Sequence, residues 1–267
     1  MSQVMEFQNA VLVAAHPDDE ILWFSSIFDL CKRVVVCFGV SANSEESWDA
    51  GRARLMETYP LAKAEFLKVR TSGAFDAANW YHPEQVESGL RLRGRTGNIY
   101  EKNAEELLHI LGSRLAHEST VFTHNPWGEY GHEEHVQVFR VLQRLQKRIG
   151  FDLFVNGYVS DRSAKLMTRS LHLIAGAPLV LKADRALAQQ MKRLYIDHGC
   201  WTFDDDFEWP EFEVFHPVGQ SDGRDSTASA SVPLNLISRS FYVSPAKKAV
   251  KNILPRSVKS LVKKAYK

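Results

Sequence analysis

Two short segments of the chain combine histidines with carboxylates at spacings that suit a metal ion. In the first, His16-Pro17-Asp18-Asp19-Glu20, the histidine and Asp19 are three residues apart, so a tight turn or first helical turn lets both chelate one ion. Asp18 then projects differently, and a carboxylate beside a metal that it does not ligate can act as general base toward a metal-bound water. The simpler alternative is an acidic helix N-terminus capped by Asp18 or Asp19. That alternative does not explain why a histidine stands beside the acids, directly after an apolar run.

The second segment, residues 124–135, has the sequence HNPWGEYGHEEH. His132 and His135 share the three-residue spacing and lie near the start of a predicted amphipathic helix. Gly128 and Gly131 permit tight backbone geometry beside them. One such histidine alone would be an ordinary surface residue. Two of them, opposite the His-x-x-Asp pair of another strand end, indicate a shared metal site.

Zinc fits this ligand set best, because its catalytic sites use three protein ligands of the imidazole and carboxylate type and leave one position open for water. Other divalent metals such as Fe²⁺ also accept a site of nitrogen and oxygen donors. The four candidate ligands are His16, Asp19, His132 and His135. One of the four is therefore expected to have another role, such as stabilising an oxyanion or protonating a departing amine. The spacing does not say which one.

Both segments directly follow predicted strands, which is where an open α/β sheet binds its ligands. Val11 to Ala15 and Val34 to Phe38 are short, continuous apolar runs, typical of parallel strands covered on both faces. The stretch from Ile21 to Lys32 between them has helical length, which predicts a strand–helix–strand unit. The weakly periodic stretch 71–100 predicts a long excursion beside the active site. Further helices are predicted near 48–59, 102–117 and 183–195 and from the second segment to about 148, and further strands near 65–69, 121–123 and 153–159.

The segments Val13 to Glu20 and Tyr130 to His135 resemble the two hallmark motifs of the LmbE-like, or PIG-L, deacetylases. The first is nearly a full match. The second keeps the tyrosine, the glycine and both histidines but has Glu133-Glu134 where the family usually has Pro-Asp. The resemblance covers roughly residues 10–160. It implies an α/β fold of the Rossmann-like kind, with a mostly parallel sheet flanked by helices.

The resemblance also implies roles for individual residues. The implied zinc ligands are His16, Asp19 and His135. The implied catalytic residues are Asp18 as general base, His132 as the electrostatic and acid-donating group, and Tyr130 near the oxyanion. Glu20 and Glu134 are then supporting acids. Glu134 lies where the family has the acid that neighbours His132, and its longer carboxylate can still pair with that imidazolium and raise its pKa.

A sugar amide is the substrate that the resemblance implies: an N-acetylated sugar or glycoconjugate of the N-acetylglucosamine type, whether lipid-linked, nucleotide-linked or part of a surface glycan. Trp127 could stack on the sugar ring or could equally be a core residue. Arg93 could bind a phosphate or carboxylate of the substrate or belong to a solvated basic face. Rival interpretations are an amidase acting on a thiol conjugate or antibiotic precursor, and an inactive sugar-binding relic. A relic would not need Asp18.

Composition excludes other classes of function. A net charge of +1 over 267 residues argues against nucleic-acid binding, and the first strand leads into His-Pro-Asp-Asp rather than a glycine-rich nucleotide loop. The 3 cysteines show no CxxC spacing, which indicates a reducing compartment. No secretory or membrane-spanning segment is evident, so a cytoplasmic location is predicted.

A single deacetylase domain, 1–245, followed by a basic tail, 246–267, is the predicted organisation. The tail holds seven Lys and one Arg and no acid. Its apolar residues Val258, Leu261, Val262 and Ala265 follow a helical i, i+3, i+4, i+7 pattern. Such a segment can lie on the inner face of an anionic membrane as a peripheral contact, or it can be a solubilising or docking tail.

Overall fold

The predicted tail at 246–267 lies outside the residues that the computed structural model of the protein describes, which are 7–40, 48–94, 97–219 and 232–237. The membrane contact of the tail and the domain boundary at 245 therefore stay predictions. Within the described residues, no helix has both the length and the apolar character needed to cross a membrane.

Strands and helices alternate along much of the described chain. The strands are β1 (Ala10–Ala14), β2 (Arg33–Val40), β3 (Ala64–Arg70), β4 (Gln85–Val86), β5 (Gly89–Leu90), β6 (Thr120–Thr123), β7 (Asp152–Asn156), β8 (Tyr158–Val159), β9 (Leu179–Lys182), β10 (Phe212–Pro217) and β11 (Asn235–Leu236). The α-helices are α1 (Asp19–Leu22), α2 (Asp49–Glu57), α3 (Gly97–Arg114), α4 (Glu133–Ile149), α5 (Ala164–Ser170) and α6 (Arg185–Asp197). Short 3₁₀ helices cover Phe7–Asn9 and Leu171–Leu173.

Seven of the described strands form one sheet, in the order β3-β2-β1-β6-β7-β10-β9. Neighbouring strands from β3 to β7 are parallel, while β10 is antiparallel to both β7 and β9. The register pairs Leu12 of β1 with Val34 of β2 and with Phe122 of β6. The mostly parallel α/β sheet predicted from the apolar runs is confirmed.

Hydrophobic side chains cover both faces of this sheet. Along β1, Val11 and Val13 pack into one buried cluster with residues of α3 and α4, whereas Ala10 and Leu12 pack into another with residues of α6. Every residue of β1 is buried. Because successive side chains of a strand point to opposite faces, a continuous apolar run is what a doubly covered strand requires.

The segment after β1 does not form the helix predicted at Ile21 to Lys32. α1 ends at Leu22, and turns follow to residue 32. A competing acceptor explains the early end: Glu213 of β10 accepts hydrogen bonds from the backbone N–H groups of Ser25 (3.2 Å) and Ser26 (2.8 Å). In a continuous helix, these amides would donate to carbonyls four residues earlier. The helix prediction was wrong because the acceptor lies 187 residues away in the sequence.

Other elements differ less from the prediction. α3 begins at Gly97, within the stretch assigned to the excursion, and β9 was not predicted. The predicted strand 153–159 is divided at Gly157, whose N–H donates to the Val214 carbonyl (2.8 Å). Beyond this break, β8 leaves the large sheet and pairs with β11. The rest of the excursion, 71–94, includes the short β4–β5 hairpin.

Replacing Glu213 with Gln is expected to destabilise the protein by about 2–3 kcal/mol, because a charged acceptor is removed from several buried donors. The carboxylate accepts from the N–H and hydroxyl groups of Ser25 and Ser26 and from the Tyr158 hydroxyl, all in a buried position. Urea unfolding measures the change. Glu211→Gln, at an exposed position just before the same strand, is the matched control. Equal effects of the two variants would contradict the prediction.

Candidate metal centre

The two histidine-containing segments meet at one edge of the sheet. β1 and β6 are parallel neighbours, and their last registered pair is Val13 with Thr123. His16 follows the first of these strands and His124 the second, so both lie at the carboxyl-end edge. The loop after β6 then leads into α4, which carries His135 in its first turn. The sheet therefore brings together segments that are more than a hundred residues apart in the chain.

Asp19 contacts histidines from both segments. Its Oδ2 atom is 3.2 Å from His16 Nδ1 and 3.1 Å from His135 Nε2. Its Oδ1 atom accepts a hydrogen bond from Trp23 Nε1 (2.8 Å), which fixes the plane of the carboxylate. One ring nitrogen each of His16, His132 and His135 lies within 4.8 Å of the other two. All four candidate ligands are thus in one cluster.

The donors of this cluster fit a metal ion. His135 Nε2 is buried and makes no hydrogen bond within the described residues, although a carboxylate oxygen of Asp19 lies 3.1 Å away. A buried polar atom without a partner costs about 1–3 kcal/mol, and a divalent cation between imidazole and carboxylate would satisfy it. Burial lowers the pKa of His135, but the charges of Asp19 and Glu129 raise it to about 10. The surroundings therefore favour a positive charge at this position.

Two further carboxylates hold the histidines from behind. Glu134 Oε2 is 2.8 Å from His16 Nε2, and Glu134 Oε1 accepts hydrogen bonds from the N–H (2.6 Å) and hydroxyl (2.7 Å) of Ser72. Glu129 Oε2 is 2.6 Å from His135 Nδ1. Each contact occupies one ring nitrogen, and the other nitrogen of the same ring is the one near Asp19. Carboxylates in this position orient metal-binding histidines.

Glu134 does not pair with His132, contrary to the expectation from the second motif. Its carboxylate contacts His16, whereas its backbone N–H donates to His132 Nδ1 (3.2 Å), which makes His132 the N-cap of α4. Burial, and then the neighbouring His135 and His16, hold the pKa of His132 well below its usual range. The neutral ring accepts at Nδ1, so it carries its proton on Nε2 and can donate from that atom.

Asp18 is held beside the ligands in a strained backbone conformation. Its φ is 100°, which residues other than glycine rarely adopt. Its N–H donates to Glu20 Oε2 and to the Tyr195 hydroxyl, both at 2.9 Å. The hydroxyls of Tyr59 and Tyr195 donate in turn to Glu20 Oε1. Glu20 therefore supports the backbone of the turn.

The Asp18 carboxyl group is buried but belongs to neither group of potential ligand atoms among the described residues. Its Oδ2 atom accepts a hydrogen bond from Thr202 Oγ1 (3.0 Å). Burial, and then the charge of Asp19, raise the pKa of Asp18 to about 7. A carboxyl group with this pKa can both take up and release a proton near neutral pH.

Tyr130 packs edge-on against the histidines. Its ring centroid is 5.8 Å from that of His132 and 5.6 Å from that of His135, with interplanar angles of 90° and 85°. Burial, and then the charge of Asp19, raise the pKa of Tyr130 well above its usual value. The phenol therefore stays protonated and can act as a hydrogen-bond donor beside the cluster.

Of the two residues predicted to bind substrate, Trp127 lies inside the core and Arg93 is exposed. Trp127 is fully buried and donates from Nε1 to the Tyr158 carbonyl (2.7 Å), so it has no surface on which a sugar could stack. The exposed ring beside the site is Phe75, which is 45% exposed and 5.1 Å from the His132 ring. Arg93 is exposed on the same excursion, and its contact with substrate stays a prediction. The position of Phe75 confirms that the excursion lies beside the site.

Several residues of the site received no role from the sequence. His124 and Glu129 lie within the second segment, but its spacing does not reveal which polar residues of a loop turn inward. Asp19, His124 and His135 form a second group with ligand atoms within 4.8 Å of one another. Phe75 and Thr202 lie outside both motifs, and only the fold brings them to the site.

Similar solved structures are deacetylases. The deacetylase of teicoplanin biosynthesis, in its complex with bog, has a TM-score of 0.51 and 13% sequence identity, over 80% of this chain and 100% of that chain. The chain shares that deacetylase's fold. The zinc-inhibited form of teicoplanin deacetylase Orf2 (TM-score 0.48, 14% identity, 80% of this chain and 100% of that chain) is also similar. So is the A40926 pseudoaglycone deacetylase Dbv21 (TM-score 0.43, 13% identity, 80% of this chain and 98% of that chain).

No family model and no curated protein matches the sequence. The fold that the two motifs implied through their resemblance to LmbE-like deacetylases is nevertheless confirmed by the structural comparison.

Substituting His135 and His132 separately with Asn should distinguish a ligand from a neighbour. His135→Asn is expected to abolish zinc binding, because it removes a nitrogen directed at Asp19. His132→Asn is expected to keep the zinc, because Asn can replace His132 as the N-cap of α4. Plasma mass spectrometry of the dialysed proteins measures the zinc content. Loss of zinc from His132→Asn with retention in His135→Asn would reverse the assignment.

Proposed function

We propose that the protein is a zinc-dependent amide hydrolase that removes the acetyl group from an N-acetylated sugar. The observation that carries this proposal is Asp18, a buried carboxylate beside the ligand cluster, outside the ligand groups and held at a φ of 100°. A site that only binds a metal or a sugar does not need such a group. Strained conformations of this kind persist where the surrounding structure enforces them and are concentrated at active sites. The fold shared with the teicoplanin deacetylase agrees with this reaction class.

His16, Asp19 and His135 are the proposed zinc ligands, and Fe²⁺ would suit the same donors. A zinc ion bound by them supplies Lewis acidity, which polarises an amide carbonyl and lowers the pKa of water. Glu129 and Glu134 hold the two imidazoles so that the nitrogens near Asp19 are available for binding.

Asp18 is the proposed general base. It accepts a proton from the water that attacks the acetamido carbonyl, and the proton leaves on the amine nitrogen when the C–N bond breaks. His132, with its proton on Nε2, donates a hydrogen bond to the oxyanion of the tetrahedral intermediate. Tyr130, whose ring is perpendicular to that of His132 with the centroids 5.8 Å apart, is the second proposed donor to that oxygen. The products are acetate and a free amino sugar.

Substrate selection is assigned to the excursion at 71–94. Phe75 presents an exposed ring beside His132, which suits the apolar face of a sugar ring. The guanidinium carbon of Arg162 lies 5.2 Å from the centre of the same ring and keeps it in place by a cation–π contact. Arg93, exposed on this excursion, is the proposed contact for a phosphate or carboxylate of the substrate.

A second candidate is the amide of an antibiotic or other secondary-metabolite precursor. It is favoured by one observation, namely that a structure similar in fold is a deacetylase of teicoplanin biosynthesis. Both candidates use the same site chemistry and differ in the group attached to the acylated nitrogen. We propose a cytoplasmic location for either reaction.

Acetate release from a panel of compounds tests the proposed function. The panel contains N-acetylated monosaccharides, nucleotide-linked and lipid-linked N-acetyl sugars, acylated thiol conjugates and acylated glycopeptide precursors, each with and without a chelator. We expect release from at least one N-acetyl sugar, loss of activity with chelator and recovery on adding zinc. Acetate release only from glycopeptide precursors would favour the second candidate. Acetate release only from thiol conjugates would favour an amidase acting on such conjugates. Activity that survives the chelator would overturn the metal mechanism.

Asp18→Asn is expected to keep the zinc but to lower kcat by a factor on the order of 10²–10⁴, because the proton acceptor is removed. Zinc content and steady-state rates on the best substrate of the panel measure the two effects separately. Asp152→Asn is the matched control, since Asp152 is exposed at the opposite, amino end of β7. Loss of zinc with retained activity in Asp18→Asn would contradict the assignment of this residue as base.

A further inference from the structure

We infer that Glu129 and His124 form a positioning pair that fixes the ring of the proposed zinc ligand His135. The inference rests on the proposed metal site and is independent of the substrate. Both residues are fully buried. Glu129 Oε2 is 2.6 Å from His135 Nδ1, and Glu129 Oε1 is 3.2 Å from His124 Nδ1. One carboxylate thus spans two imidazole rings whose centroids are 4.0 Å apart.

The backbone of Ala15 fixes the tautomer of His124. The Ala15 N–H can only donate, and it lies 2.8 Å from His124 Nε2. That nitrogen must therefore accept, which leaves the proton of the neutral ring on Nδ1, the atom nearest Glu129. Ala15 directly precedes the proposed ligand His16, so this bond also ties the end of β1 to the end of β6.

Glu129 is in turn held as an acceptor. Its Oε1 atom accepts hydrogen bonds from Asn156 Nδ2 (2.5 Å) and from the N–H of Asn125 (3.1 Å). Its own carbonyl accepts from the Ser160 N–H (3.2 Å), and its φ of 51° is left-handed. A carboxylate can offer His135 Nδ1 only an acceptor, so that nitrogen keeps its hydrogen. In the neutral ring, which is the form that binds a metal, the lone pair of His135 is then on Nε2, 3.1 Å from Asp19 Oδ2.

The same bonds exclude His124 as a ligand. One of its ring nitrogens nevertheless lies within 4.8 Å of a potential ligand atom of Asp19 and of His135. His124 Nε2 is 3.6 Å from Asp19 Oδ2, but its lone pair is used by the Ala15 N–H. Binding a metal through that atom would leave a buried amide without an acceptor, at a cost of about 1–3 kcal/mol. His124 therefore positions the site without binding the ion.

Zinc affinity in Glu129→Gln tests the pair, with Glu133→Gln as the matched control. Both glutamates are fully buried and four residues apart, but Glu133 contacts Ala78 and Trp80 and none of the zinc ligands. In Glu129→Gln, the introduced NH₂ group faces other donors, so we expect zinc affinity to fall about 10- to 100-fold, as for other supporting carboxylates. Competition with a chromophoric chelator measures the affinity, and the visible spectrum of the cobalt-substituted protein reports the ligand geometry. Equal affinities in Glu129→Gln and the control would overturn the inference.

The wild-type protein provides a test that does not depend on the folding of a variant. Long-range ¹H–¹⁵N spectra of the zinc-loaded protein with labelled histidine identify the tautomer of each ring. We expect His135 to carry hydrogen on Nδ1 and metal on Nε2, and His124 to carry hydrogen on Nδ1 with Nε2 free of metal. Metal or hydrogen on His124 Nε2 would overturn the inference. Zinc bound in the expected way without acetate release would refute the proposed hydrolase and leave the positioning pair intact.

Discussion

Charge compensation among buried groups is the constraint on which the rest of the site depends. The cluster contains four carboxylates and four imidazoles: Asp18, Asp19, Glu129, Glu134, His16, His124, His132 and His135. An isolated ion in such a place would be costly, whereas a paired and hydrogen-bonded one is tolerated. Each carboxylate accepts from a nitrogen or a hydroxyl, and most of these donors belong to another strand end or loop. The parallel pairing of β1 with β6 brings these carboxylates and imidazoles within contact of one another.

The sequence was sufficient for the parts of the site that follow a local rule. Apolar runs covered on both faces revealed β1 and β2, and three-residue spacing revealed the ligand candidates in each of the two motifs. The sequence was insufficient wherever a residue far away in the chain determines the local structure or the position of a side chain. The helix predicted from Ile21 stops early because Glu213 takes two of its amides, and Trp127 is in the core because the Tyr158 carbonyl binds its indole. Glu134 also has a distant partner. Its carboxylate reaches His16 of the other motif rather than His132, two residues earlier in the chain.

The proposed ligands and two other residues of the site come from different parts of the chain. The motifs supply His16, Asp19 and His135 from strand ends, which the sheet fixes. Phe75 comes from a long excursion and Thr202 from the segment after α6, neither of which resembles the motifs. Loops vary more between proteins of one fold than the strands and helices that they connect. The proposed chemistry and the proposed substrate selection therefore depend on different segments of the chain.

The bond between Glu213 and the Ser25–Ser26 amides also affects the order in which the site can be completed. A chain is synthesised from its N-terminus, so the first motif leaves the ribosome long before Tyr195, Thr202 and Glu213 exist. Until then, the Asp18 turn lacks two of its hydrogen-bond partners and the segment after α1 lacks its acceptor. A nascent chain that already contains every proposed ligand thus still lacks the hydrogen bonds that hold the proposed base in place. The proposed hydrolytic site is therefore complete only after β10 has been synthesised, late in translation.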